Sequence, residues 1–163
     1  MAGSAEMRLA AVPRAVLTGG TVGGALDLLF ALVFAAYNGV APVRLLQTIA
    51  SGALGDEAFT GGTATAILGL VCHFALSYLW ALLFVAVTLR VPRLLHRPLV
   101  VGAAFGVLVF LCMRLVVLPL SAFPRPVSFE PLATTLDLLS HMFLFGVPIA
   151  AAASKAFRTP AAR

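Results

Sequence analysis

Five ionisable residues stand inside long apolar runs of this chain: Asp27, His73, Arg114, Asp137 and His141. An ionised side chain at the centre of a bilayer costs about 3 kcal/mol unless it finds a partner, so these are the positions where chemistry is to be sought. Asp137 and His141 are four residues apart and share one helix face, with Thr134 a turn away. Gly69, His73 and Ser77 form a second stripe; Gly20, Gly23 or Gly24, Asp27 and Ala31 form a third. Small residues beside polar ones let helices approach closely, as an internal polar cluster requires. Three chemistries compete for such a cluster. As structure, Asp27 hydrogen-bonds one histidine and fixes a unique bundle. As a proton or ion relay, a carboxylate and two imidazoles are apt because histidine changes charge near neutral pH. As a haem or metal site, His73 and His141 supply nitrogens from facing helices, with Asp27 or Asp137 behind them. No further ligand or attachment motif supports the third reading, so no cofactor is assigned.

The elements that must carry these residues follow from composition. Of 163 residues, 61% are hydrophobic and 10% charged, which leaves too little material for a solvated surface and too much apolar material for disorder. Two cysteines are too few for a disulfide scaffold. The hydrocarbon core, roughly 30 Å thick, needs about 20 apolar residues per helical span. Four stretches qualify, at 15–37, 62–89, 99–120 and 132–153. They are separated by Asn38-Gly39 with Pro42, by Arg90-Val91-Pro92-Arg93, and by Pro119 followed by Pro124, Pro126 and Pro131. The expected fold is all-α: a single domain over 1–163, an integral membrane four-helix transmembrane bundle.

Between the first two spans, residues 42–54 read as a short interfacial amphipathic helix, with Leu45, Leu46, Ile49 and Ala53 on one side and Arg44, Gln47, Thr48 and Ser51 on the other. Pro42 suits its first turn and Gly55 its end. It is either a surface connector or a re-entrant element beside a pathway. Orientation follows from the basic residues. Arg8, Arg14, Arg90, Arg93, Arg97, Lys155, Arg158 and Arg163 flank one face, eight against Arg44 and Arg125 on the other, which puts both termini in the cytoplasm. The net charge of +5 is then a topology signal and an attraction to anionic membrane lipids, with no call for nucleic acid. The N-terminal run contains Asp27 and lacks a small-residue cleavage site, so it is expected to be retained as a span.

With that topology, Arg114 lies about six residues inside the third span and Asp137 about five inside the fourth, both roughly 8–9 Å deep, so they can pair through a carboxylate–guanidinium fork. Asp27, His73 and His141 fall near the midplane. Cys72 and Cys112 read as inert packing, Trp80 as packing rather than an anchor, and His96 as solvated. No phosphate loop, nucleophile elbow or zinc-protease pair is present, so no enzyme is expected. The glycines at Gly19-Gly20 and Gly23-Gly24 have no preceding strand, so a dinucleotide fingerprint fails on context.

The run from Leu46 to Gly55, continuing through Ala58-Phe59-Thr60-Gly61-Gly62, together with Asp27 and His73-Phe74, resembles an uncharacterised family of small bacterial inner-membrane proteins that are YagU-like. The resemblance covers most of the chain and implies a bacterial cytoplasmic membrane and four helices; it carries over no activity and no site residues. The expected function is that of a small polytopic membrane protein whose cluster is structural or serves proton-coupled or small-solute transport. Four helices enclose little lumen, so transport would call for a homo-oligomer or a larger membrane complex. The alternatives are a haem- or metal-binding subunit of a membrane redox assembly, and a non-catalytic partner subunit that docks through glycine-rich faces.

Overall fold

The computed structural model describes the chain from Ala2 to Arg158, with side chains from Leu9 onward. Arg163 therefore lies outside the described residues, as does the side chain of Arg8. Among the described residues there is no strand. Five helices carry the fold: α1 (Ala2–Tyr37), α2 (Pro42–Leu54), α3 (Gly62–Arg90), α4 (Pro98–Leu120) and α5 (Pro131–Arg158). Four of them, α1, α3, α4 and α5, are long and apolar enough to cross a membrane.

Three start at proline, where the missing N–H is no loss: Pro42, Pro98 and Pro131. Gly55 stops α2 with φ of 62°, a conformation that a side chain resists. The terminal helices overrun their expected limits. α1 begins well before residue 15 and tolerates Pro13 in its early turns, while α5 continues past residue 153 to Arg158. The continuation Ser-Lys-Ala-Phe-Arg has no helix breaker and buries Ser154 and Ala156. Its last turn is basic, and the Arg14 guanidinium donates to the Ala156 carbonyl at 2.7 Å, which suits the negative end of a helix.

In space the long helices run in the order α3, α1, α5, α4. The α4–α5 crossing is backbone on backbone: a Cβ at Gly106 would land on the His141 carbonyl, and one at Gly146 on the Gly102 carbonyl. That leaves α3 and α4 as the two ends of an open arc, joined near its middle by Trp80 and Phe84 against the Phe105 ring. α2 closes on α3, where the Leu46 carbonyl takes the space a side chain at Gly69 would need. Gln47, Ala50 and Ser51 are the buried residues of α2, because Gln47 donates to the Gly62 carbonyl at 3.1 Å and thereby fastens a polar side to α3.

Two of the helices are not α-helical throughout. Met113–Val117 in α4 and His141–Gly146 in α5 are π-helical. The packing is also uneven along the bundle. The main core, including Ala81, Phe84, Val85, Phe145, Ile149 and Ala153, fills the half toward Arg14, Arg90 and Arg158, hereafter the basic end. The far half, toward Tyr37, Gly62 and Pro131, is hollow.

Candidate functional site

The hollow is a cavity of about 920 Å³ that takes walls from all five helices and from the segment between α4 and α5. Trp80, Val109 and Phe145 mark its limit toward the basic end, where the apolar core takes over. Arg125, Ser128 and Glu130 stand at the far end. α2 contributes Leu45, Thr48 and Ile49, so it lines the space rather than skirting it.

Four of the five ionisable residues expected from the sequence meet on one wall. Arg114, within the π segment of α4, donates from Nε (3.2 Å) and Nη2 (2.9 Å) to Asp137 Oδ2, and from Nη1 to the Ser128 carbonyl. Both of these guanidinium nitrogens use one carboxylate oxygen. The reason is that Asp137 Oδ1 faces His141 Nδ1 at 3.1 Å. That Nδ1 also meets the Asp137 carbonyl at 2.9 Å and Asp27 Oδ1 at 3.9 Å. Every neighbour of Nδ1 is an acceptor, so it is the nitrogen that carries the proton. The Phe110 ring stands edge-on to the His141 ring, with centroids 5.8 Å apart, and Arg114 lies 5.4 Å from the same Phe110 ring.

Asp27 reaches this group from α1, but its hydrogen bond comes from a residue the sequence reading passed over. Ser140 Oγ donates to Asp27 Oδ1 at 2.7 Å. Ser140 sits three residues after Asp137 and directly before His141, so its place beside two titratable groups was the available signal. His73 does not join. Its Nε2 donates to the Gly24 carbonyl at 2.8 Å, and Ser77 Oγ likewise donates to the Gly20 carbonyl at 2.7 Å, so α3 is zipped to the glycine stripe of α1. With Nε2 carrying the proton, Nδ1 is the ring nitrogen that keeps a lone pair. Among the described residues no group of three or more His, Cys, Asp or Glu is placed to hold a metal ion.

Two buried side-chain polar atoms have no partner among the described residues: Trp80 Nε1 and Thr134 Oγ1. Both belong to the cavity wall. An unmet buried polar atom costs about 1–3 kcal/mol, so a hydrogen-bonding group in the cavity, water included, would be favoured beside each. The site thus combines an apolar chamber, one guanidinium–carboxylate pair, a second carboxylate held by a hydroxyl, and an imidazole between the two acids. It can bind a solute of mixed character and exchange a proton with it. No family model, curated protein or solved structure matches this chain.

Proposed function

We propose that this chain is a multi-pass protein of a bacterial cytoplasmic membrane, with both termini on the cytoplasmic side, whose outer-half cavity loads a small, largely apolar solute as the binding step of transport. Four long apolar helices support the membrane reading, as do the large side chains exposed along them, including Leu29, Ile67, Val100 and Leu108. The concentration of arginine and lysine at the basic end supports the orientation. The resemblance to small bacterial inner-membrane proteins supports the compartment. The observation that carries the binding reading is the cavity itself, whose walls come from every helix while one wall bears Asp27, Arg114, Asp137 and His141. Below Trp80 and Phe145 the core is apolar and closed, so one copy offers no continuous path. Passage then requires a change of conformation or assembly with further copies.

Trp80 is the sole tryptophan and stands in the wall, which supplies the test. Its emission, followed in purified protein during titration with neutral, cationic and anionic aromatic solutes, is expected to respond to at least one class and to saturate. Ala133→Phe, which narrows the chamber, is expected to weaken that solute by about tenfold, or 1.4 kcal/mol. A panel that leaves the emission unchanged, or binding indifferent to Ala133→Phe, overturns the binding reading.

A further inference from the structure

The charges of the cavity wall do not balance. Asp27, Asp137 and Glu130 face it, against the guanidinium groups of Arg114 and Arg125. Within the inner cluster Arg114 is committed to Asp137. Asp27 is left with a hydrogen bond from the neutral Ser140 hydroxyl, and with His141 Nδ1 3.9 Å away. A carboxylate held in a mostly apolar chamber demands a compensating positive charge, either a proton in the Asp27–His141 pair or a cation brought by the ligand. The surroundings decide which cations qualify. With no group of three His, Cys, Asp or Glu placed to cage a metal among the described residues, a bare inorganic ion is poorly served. Aromatic faces serve a bulky organic cation well, and Trp80, Phe110, Phe123 and Phe145 are all in the wall. A chamber of about 920 Å³ lies in the range that encloses a drug-sized molecule.

Building on the cavity reading above, we propose that the solute is a lipophilic organic monocation, and that it and a single proton occupy the Asp27 site in mutual exclusion. When the cation enters, the proton held by the Asp27–His141 pair leaves to solvent, and when the cation leaves a proton returns, so the charge of the site is conserved. The other groups facing Asp27 across the chamber are Cys72 and His73 on α3, Arg114 on α4, Asp137 and His141 on α5, and Arg125 and Glu130 in and beside the intervening segment. α2 adds no titratable group to the wall. Arg114 and Asp137 cancel, and His73 has its Nε2–H on the Gly24 carbonyl, whereas His141 Nδ1 lies 3.9 Å from Asp27 Oδ1, so the exchange is placed on Asp27 with His141.

The test uses probes of one shape and different charge on the full chain in detergent: tetraphenylphosphonium, tetraphenylborate, and neutral triphenylphosphine oxide, measured by equilibrium dialysis and by Trp80 emission. Phosphonium is expected to bind tightest. Its apparent Kd should rise as pH falls from about 8 to about 6, approaching tenfold per pH unit where one proton competes. Asp27→Asn is expected to lower phosphonium affinity at least tenfold and flatten the pH dependence, while Asp27→Glu retains both. Should Asp27→Asn fail to fold, the pH dependence of the unaltered chain decides the matter. Equal, pH-independent binding of the phosphonium and the neutral probe would overturn the exchange and leave the cavity reading standing. Preference for the borate would overturn it in favour of Arg114 as the recognising charge. Binding of none of the three would overturn both readings.

Discussion

Arg114 and Asp27 are both charged and both in the cavity wall, yet their removal has opposite consequences. Arg114 satisfies Asp137 and the Ser128 carbonyl together. Arg114→Ala strands a carboxylate and frees the segment before α5. The loss of a buried partner costs about 3–5 kcal/mol, and because Asp137 keeps a third of its side chain exposed we expect about 2 kcal/mol here. Asp27→Asn keeps an acceptor for the Ser140 hydroxyl while removing a buried carboxylate whose charge must otherwise be offset by a proton, so thermal stability in detergent is expected to hold or rise. Thermal unfolding of the two variants side by side checks the sign; a fall for both would mean that Asp27 serves the fold rather than a ligand. At this scale the sequence was informative about which residues matter, since a charged or titratable group in an apolar run is conspicuous. It was silent on partners. Ser140 carries no charge to draw the eye, and whether the His73 ring turns to a carboxylate or to the Gly24 carbonyl depends on helix rotation that spacing alone leaves free.

Close helix contacts depend on a few glycines rather than on glycine in general. A methyl group at Gly106 or Gly146 would collide with backbone of the facing helix, which cannot move aside as a side chain would. Gly52, by contrast, has the Ser121 side chain no nearer than 3.8 Å to a built Cβ. Gly106→Ala and Gly146→Ala are therefore expected to destabilise by about 1–3 kcal/mol, and Gly52→Ala to be neutral or slightly stabilising through better helix propensity. Thermal shifts that fail to separate the two groups would contradict the crossing described. The four long helices were legible because about 20 apolar residues between proline-rich breaks admit little else. The polar burial of α2 was not, because its amphipathic pattern names two sides without saying which one α3 will take. The π segments left no compositional mark at all, since the residues are those of ordinary apolar helix and only the hydrogen-bond register differs.

The molecule as a whole is solid toward the basic end and hollow toward the other, and its native cysteines can report on this. Cys72 lines the chamber, whereas Cys112 is not among its walls. Each thiol studied alone, with the other replaced by serine, should therefore differ in its reaction with a charged, water-soluble methanethiosulfonate added from outside the cell, because the reactive thiolate forms only where water reaches. Cys72 is expected to label and Cys112 to stay unreacted, with tetraphenylphosphonium slowing the labelling of Cys72. Labelling from the cytoplasmic side alone would reverse the proposed orientation while sparing the cavity. This unevenness was out of reach of composition, which counts apolar residues without saying how tightly opposite helices close on them.

The π-helical stretch His141–Gly146 has a consequence for how α5 should be drawn. On an unbroken α-helix, sixteen residues of advance turn a side chain by about 160°, which would set Asp137 and Ala153 on nearly opposite azimuths. One additional residue within the widened turn takes back about 100° of that rotation. A single helical wheel for the whole of α5 is thus out of phase with itself: the portion that carries Asp137 and the portion that carries Ala153 each need a separate projection. A cysteine or tryptophan scan that numbers its faces continuously across residue 141 would misassign the inward side of one portion or the other.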